Sequence, residues 1–166
     1  PASHEAFAKA IRASRGAGGR VSITLSDPFC VGRHRDAFRR MIVEDVDLLF
    51  ANRAELLSMY QTDDFAAAMK AAAAEVAIVA CTEGDKGAHI LSDGRHWHVP
   101  AIPTRIVDAT GAGDLFAGAF LWAITNGHGL ETAGRMGCIA ASEVISHIGA
   151  RPEADLRALF AQHGVI

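Results

Sequence analysis

Residues 107–124 have the sequence VDATGAGDLFAGAFLWAI, and this stretch decides the fold. It begins with a β-branched residue and an acid, continues with two glycines on either side of an alanine, and ends in an apolar, alanine-rich run. This order predicts a strand, a tight turn and a helix. We expect Thr110 to cap the helix, and the small residues after it to leave the first backbone N–H groups open to a ligand.

The open N-terminus of the predicted helix is suited to bind an anion. Phosphate is the expected ligand, because free N–H donors and the helix dipole both favour it. Asp114 falls in or near the first turn, where two interpretations apply. An acid there can simply complement the helix dipole, which contributes about 0.3–1 kcal/mol. It can instead act as a base beside a hydroxyl nucleophile. The small side chains of Gly111-Ala112-Gly113, which leave space for a ligand, favour this second interpretation. The stretch is neither a Walker A loop nor Gly-x-Gly-x-x-Gly, since no Gly-Lys-Ser/Thr follows and Phe116 occupies the third glycine position.

The sequence DATGAGD at residues 108–114, followed by Leu-Phe and a helix of small residues, closely resembles the C-terminal signature of the ribokinase (PfkB) family of sugar and nucleoside kinases. The resemblance implies that the backbone of Gly111, Ala112 and Gly113 forms an anion hole. It also implies that Asp114 is the catalytic base. The stretches at residues 25–29 and 46–52 look nearest to the adenosine kinase branch of that family.

The predicted elements follow the order of a doubly wound, mostly parallel α/β sheet with helices on both faces. Strands are predicted at Val21–Leu25, Val46–Ala51, Val76–Thr82 and Val107, and a hairpin is predicted at Ala88–Leu91 and His96–Val99. Helices are predicted at Ser3–Ser14, around Arg33–Ile42, after Asn52, at Asp63–Ala74, after Gly113, at Leu130–Ser146 and at Glu153–Gln162. The glycines Gly134 and Gly137 predict close packing against a nearby helix or a flat ligand such as adenine. The order resembles the C-terminal half of the family from end to end, without the substrate signature and lid of the N-terminal half.

Composition limits the class of protein. The chain has 166 residues, of which 50% are hydrophobic, so we expect a single α/β portion over residues 1–166 and exclude a disordered protein. Its net charge of −3 favours neither nucleic acid nor an anionic membrane as a partner. The three cysteines are widely spaced, which favours a reducing compartment such as the cytoplasm. The lack of a long apolar run and of a signal sequence disfavours membrane spanning and secretion. A start at Pro1 without methionine is what we expect of a piece of a longer protein.

Asn52 and Glu55 follow the second predicted strand. An Asn at this position with a Glu three residues later is close to a capping box, which gives both residues a structural role. The pair also looks like the family's Asn-x-x-Glu motif, whose members act on magnesium and phosphate through water. Both roles are compatible with each other.

The third strand ends in TEGDKGA at residues 82–88. The family has a Thr-x-Gly-x-x-Gly turn here that lies along the nucleotide, and Thr82, Gly84 and Gly87 match its three named positions. With Lys86, these residues are the expected nucleotide contacts, together with Asn52.

His96 and His98 fall on one face of the second hairpin strand, around the turn signal Asp93-Gly94. Two histidines on one face suggest a metal site, but no third ligand is near them in the sequence. An exposed edge hairpin is therefore favoured over a metal site.

A monovalent cation is a further expectation from the resemblance. Family members often hold potassium beside the anion hole, and Asp108, Thr110 and Gly149 match the positions involved. The alternative is that Asp108 ends a strand and caps the turn, as Asx turns commonly do.

The resemblance implies an ATP-dependent and Mg²⁺-dependent kinase that phosphorylates a hydroxyl of a sugar or nucleoside, and it leaves open K⁺ activation and a homodimer of the complete protein. The alternative is a nucleotide-binding fragment that is catalytically incompetent because it lacks the substrate half. A dinucleotide-binding oxidoreductase domain is disfavoured, because Ser26-Asp27-Pro28 stands where its glycine motif belongs.

Overall fold

The computed structural model describes residues 2–166, with side chains from Glu5 onward. The described helices are α1 (Ala2–Gly16), α2 (Pro28–Asp45), α3 (Arg53–Tyr60), α4 (Phe65–Ala73), α5 (Ala112–Thr125), α6 (Leu130–Val144) and α7 (Leu156–Gln162). The described strands are β1 (Ser22–Thr24), β2 (Leu48–Asn52), β3 (Ile78–Thr82), β4 (Ala88–Ser92) and β5 (Arg95–Val99). No helix in residues 2–166 is both long enough and apolar enough to cross a membrane.

The five strands form one mixed, mostly parallel sheet in the order β1-β2-β3-β4-β5. β1 and β2 are parallel, with Ser22 opposite Leu48. β4 and β5 are antiparallel, with Ala88 opposite Val99. The predicted α/β class is therefore confirmed.

The chain divides into two compact units, Pro1–Val79 and Ala80–Ile166, with the boundary inside β3. The single α/β portion expected over residues 1–166 stays a prediction. The first unit contains β1, β2 and helices α1 to α4. Its largest fully buried side chains include Leu25, Val31, Ile42, Leu49, Leu56 and Met59.

The first unit shows why its helices start and stop where they do. Gly18 has a φ of +73°, and the N–H of Gly19 donates to the carbonyl of Ser14, so the cluster Gly16-Ala17-Gly18-Gly19 ends α1. Asp27 caps α2 by accepting a hydrogen bond from the N–H of Cys30, and Pro28 occupies the first helical position.

In the second unit, α5 and α6 pack against each other, and the β4–β5 hairpin packs on α6. The two predicted glycine contacts are to protein rather than to a ligand. A Cβ on Gly137 would lie 2.6 Å from the ring of Phe116 in α5, and one on Gly134 would lie 2.6 Å from Ile90 Cδ1 in β4. These glycines therefore let α6 approach its neighbours closely.

The strand predicted at Val107 is wrong. Residues 100–111 have no strand, and the N–H groups of Val107 and Asp108 both donate to the carbonyl of Ile145, at 2.8 and 3.3 Å. Pro100 and Pro103 lack the N–H that a strand needs, which disfavours a ladder in this segment. The segment is instead held by the end of α6.

The closing helix begins at Leu156, three residues later than predicted. The carboxylate of Asp155 accepts hydrogen bonds from the N–H groups of Arg157 and Ala158 and so caps the helix. Asp155 therefore fixes the start of this helix, and the predicted start at Glu153 is wrong.

Candidate active site

Helix α5 starts one residue later than the predicted cap allows. The residue before it is Gly111, and Thr110 forms no cap, which corrects the prediction for Thr110. The hydroxyl of Thr110 instead donates to Asp108 Oδ1 at 2.6 Å. The first turn is therefore left without a side-chain cap.

Gly111 is required at its position for two reasons. Its φ of +84° lies in the left-handed region, which disfavours residues with a Cβ. A Cβ there would also lie 2.9 Å from Ala150 Cβ and 3.0 Å from the carbonyl oxygen of Ala150. The turn before α5 therefore rests directly on the loop that follows α6.

Gly113 and Asp114 lie in the first turn of α5, and both are exposed. The N–H of Leu115 makes a bond to the carbonyl of Gly111 at 2.9 Å, so the N–H groups of Gly113 and Asp114 precede the first helical bond of this type. A Cβ on Gly113 would meet no atom within 4 Å. The start of α5 is thus open to an anion. The anion hole at residues 111–113 and the role of Asp114 as a base stay predictions.

A cavity of about 530 Å³ lies within the second unit. Thr82, Gly84 and Gly87 line it on one side, and Ala112 and Gly113 line it at the start of α5. The remaining lining is largely apolar and includes Ile102, Pro103, Ile106, Phe116 and Ile145. The structure therefore brings two separate predicted motifs to one cavity.

The turn at residues 82–87 contains a short 3₁₀ helix, Gly84–Lys86. Gly84 and Gly87 have φ values of +59° and +94°, and a Cβ on Gly87 would collide with the carbonyl oxygen of Val99. Lys86 does not line the cavity, because its ammonium pairs with Glu83 Oε1 at 2.9 Å while 65% of its side chain is exposed. Its predicted nucleotide contact stays a prediction.

The three residues predicted to hold a monovalent cation lie together. Asp108 Oδ1 accepts from the N–H of Thr110 at 2.9 Å as well as from its hydroxyl, and Asp108 Oδ2 accepts from the N–H of Gly149 at 3.2 Å. These bonds, those from Thr110 first, lower the pKa of Asp108. The geometry is that of an Asx turn, the structural alternative, and the cation role stays a prediction.

Asn52 and Glu55 belong to the first unit and form the complete capping box of α3. Glu55 is only 4% exposed, and its two carboxylate oxygens accept from the backbone N–H and the side-chain amide of Asn52, at 2.9 and 2.6 Å. Burial is the main cause that raises the pKa of Glu55, against the lowering effect of the Asn52 backbone N–H. The structural role is therefore present, and the role in magnesium binding stays a prediction.

The β4–β5 hairpin places a third histidine beside the two that the sequence singled out. His89 lies opposite His98, its Nδ1 is 3.0 Å from His96 Nε2, and its Nε2 is 3.1 Å from Glu83 Oε2. His89 Nδ1 and His96 Nε2 are thus within hydrogen-bond distance of each other. In the described part of the chain, no group of three or more His, Cys, Asp or Glu residues is placed to hold a metal ion.

The register of this hairpin was accessible from sequence. A two-residue Asp93-Gly94 turn fixes Ser92 opposite Arg95 and hence His89 opposite His98. By contrast, no local signal indicated the apolar lining of the cavity, because its residues come from separate segments at residues 101–106, 109–116 and 138–145.

Comparisons with known proteins agree on one family. A model of the pfkB family carbohydrate kinases matches residues 1–156. A solved structure described as a probable sugar kinase from Rhizobium etli CFN 42 is 45% identical, with a TM-score of 0.97; the match covers 100% of this chain and 51% of that one. An adenosine kinase from Sinorhizobium meliloti is 37% identical, with a TM-score of 0.92, over 95% of this chain and 49% of that one.

A third solved structure, described as a putative ribokinase II of E. coli in complex with ATP and Mg²⁺, is 24% identical, with a TM-score of 0.84. The match covers 95% of this chain and 53% of that one, and at this identity the likeness is one of fold. The chain spans less than half the length of the curated relatives that it matches.

Proposed function

Because the chain belongs to the pfkB family of carbohydrate kinases, we propose that it is the ATP-binding and catalytic portion of a kinase that phosphorylates a hydroxyl of a sugar or nucleoside. One observation carries the proposal. The open N-terminus of α5 and the glycine turn at residues 82–87 line the same cavity. This shared cavity supports the proposal that phosphate and an apolar ring bind next to each other in one unit.

The cavity suits a nucleotide in size and character. Its volume of about 530 Å³ lies in the range of small-molecule sites, and Phe116, Ile102 and Ile145 offer flat or apolar surface to a base. The phosphates would extend toward Gly113, where a Cβ would meet no atom of the protein within 4 Å. Backbone N–H groups and the helix dipole would bind them there.

In the proposed reaction, the oxygen of the acceptor hydroxyl attacks the γ-phosphorus of ATP while Asp114 accepts the hydroxyl proton. The bond from the γ-phosphorus to the bridging oxygen breaks, and ADP leaves. The N–H groups around Gly111, Ala112 and Gly113 stabilise the charge that develops on the phosphoryl oxygens. Asn52 and Glu55 are the residues proposed to hold magnesium and phosphate through water, and the ion would supply neutralisation of the phosphate charge.

We also propose a potassium site and a class of acceptor. Asp108, with the neighbouring backbone of Thr110 and Gly149, would hold K⁺ beside the turn and so orient its N–H groups. The 37% identity to an adenosine kinase supports an adenosine-like or ribose-like acceptor. We place the activity in the cytoplasm.

A second candidate function is nucleotide binding without transfer, and the chain's coverage of less than half of its curated relatives favours it. Calorimetric titration with Mg-ATP, followed by an assay for ADP release with sugar and nucleoside acceptors, separates the two. We expect this chain to bind Mg-ATP and the complete protein to release ADP with at least one acceptor. Binding by both without ADP release from either would favour the second candidate, and no binding by either would contradict both.

A further inference from the structure

Glu143 lies near the C-terminal end of α6, and its side chain is only 8% exposed. Its Oε1 accepts hydrogen bonds from the backbone N–H groups of Glu153 and Ala154, at 2.8 and 2.9 Å. The same oxygen lies 3.3 Å from His147 Nε2. One carboxylate oxygen therefore ties both ends of the loop at residues 145–155 to the helix that precedes it.

This loop is the surface on which the signature turn rests. The carbonyl of Ile145 accepts from the N–H groups of Val107 and Asp108, and the N–H of Gly149 donates to Asp108 Oδ2. Ala150 is in such close contact with Gly111 that a Cβ at Gly111 would lie 2.9 Å from Ala150 Cβ. A shift of the loop would therefore shift the turn that starts α5.

The other oxygen of Glu143 argues against a purely stabilising role. Oε2 is buried and has no hydrogen-bond partner in the described residues. A buried carboxylate oxygen without a partner costs free energy, so stability alone does not account for a glutamate here. Its two backbone contacts, ten and eleven residues along the chain, account for it through the position of the loop.

We infer that Glu143 is a positioning residue for phosphoryl transfer: through its hydrogen bonds to the loop at residues 145–155, it fixes the turn at Gly111 and hence the N–H groups and Asp114 that follow. This inference rests on the proposed function. Glu143 itself touches neither nucleotide nor acceptor in the proposed reaction. A misplacement of catalytic groups by about 1 Å can lower the rate by roughly 100-fold, so a supporting contact of this kind matters.

Two variants separate position from charge. Glu143→Gln keeps a carbonyl oxygen that can accept from both N–H groups but removes the charge, whereas Glu143→Asp keeps the charge but shortens the side chain by one methylene. We expect Gln to preserve the loop and Asp to release it. The matched control is Glu153→Gln, since Glu153 lies on the other side of the same histidine, 3.8 Å from His147 Nδ1, and its side chain is 74% exposed.

The first readout does not depend on activity. Hydrogen–deuterium exchange of the complete protein, followed by mass spectrometry, reports on the loop at residues 145–155 and the turn at residues 107–116. In Glu143→Asp we expect exchange in both segments to rise by about tenfold, while Glu143→Gln and Glu153→Gln stay within about threefold of the parent protein. Faster exchange in the loop without any change in the turn would overturn the inference.

The second readout is the split between kcat and KM. In Glu143→Asp we expect kcat to fall by about tenfold or more while the KM for ATP stays within about threefold, because most of the cavity lining, at residues 82–87, 101–106 and 138–142, lies outside the loop and the turn. We expect Glu143→Gln to retain kcat within about threefold of the parent value. A Gln variant as impaired as the Asp variant would overturn the inference, because charge would then be the important property.

If the parent protein transfers no phosphoryl group, the proposed function fails, and the exchange measurement still decides whether Glu143 sets the position of the turn. If turnover is present and exchange in the turn is unchanged in Glu143→Asp, the inference alone fails.

Discussion

At the scale of single residues, Gly111 and Gly113 do different work although they are two positions apart. Gly111 meets the protein, since it has a positive φ and contacts Ala150. Gly113 meets open space in an ordinary helical position. The fold requires a glycine at position 111, whereas the glycine at position 113 leaves space for a ligand at the start of α5.

This difference gives a prediction in which stability and binding change in opposite directions. Gly113→Ala should raise stability by about 0.5–1 kcal/mol, because alanine is the better helix former. It should nevertheless weaken Mg-ATP binding by about tenfold, because the new methyl group occupies the approach to the N–H groups. Urea unfolding and calorimetric titration measure the two effects.

The matched control is Gly118→Ala, since Gly118 lies in the same helix, is exposed and also has no atom within 4 Å of a Cβ position. Its stability should rise similarly while its affinity for Mg-ATP stays unchanged. Equal affinity of both variants for Mg-ATP would show that phosphate does not approach α5 at Gly113.

At the scale of elements, the start of α5 depends on the loop after α6 rather than on a capping side chain. Gly127, at the other end of α5, has the same φ of +84° but no atom within 4 Å of a Cβ position. A comparison of alanine substitutions at Gly111 and Gly127 therefore distinguishes the free-energy cost of backbone strain from that of a steric collision with Ala150.

We predict that Gly127→Ala lowers the free energy of unfolding by about 1 kcal/mol, from left-handed strain alone. Gly111→Ala should lower it by a further 1–3 kcal/mol or so, because its methyl group collides with Ala150. Denaturant unfolding with unchanged m-values checks the difference. Equal losses would mean that the loop yields freely and does not support the turn.

Elements with a local signal were predictable, and those defined by distant partners were not. The capping box at Asn52 and Glu55 and the Asp93-Gly94 hairpin were identified from sequence because their contacts span only a few residues. The strand at Val107 was predicted wrongly because β-branched residues favour strands, whereas the actual partner, Ile145, lies 38 residues away by sequence number.

At the scale of the whole molecule, family and fold followed from the order of three short motifs, and the family match over residues 1–156 confirms that part. Thr82, Gly84, Gly87, Ala112 and Gly113 line one cavity, and their roles in it stay predictions. The apolar walls of the cavity and the hydrogen bonds of Glu143 to the loop are visible only in the packed structure. Packing partners distant in sequence leave no periodic pattern from which to predict them.

In the proposed reaction, Asp114 is the base of a phosphoryl transfer and more than a complement to the helix dipole. Glu131 is the matched comparison, because it is also an exposed acid in the first turn of a helix, α6. Removing either charge removes a similar dipole interaction, worth about 0.3–1 kcal/mol. Only the loss of Asp114 should remove a proton acceptor from the site.

The direct measurement is the turnover of the complete protein with Mg-ATP and its best acceptor, for the parent, Asp114→Asn and Glu131→Gln. We predict that Asp114→Asn lowers kcat by about 100-fold to 10,000-fold with Mg-ATP affinity retained, while Glu131→Gln leaves kcat unchanged. Turnover of Asp114→Asn within a few-fold of the parent would contradict the assigned role, because Asp114 would then only stabilise the start of its helix.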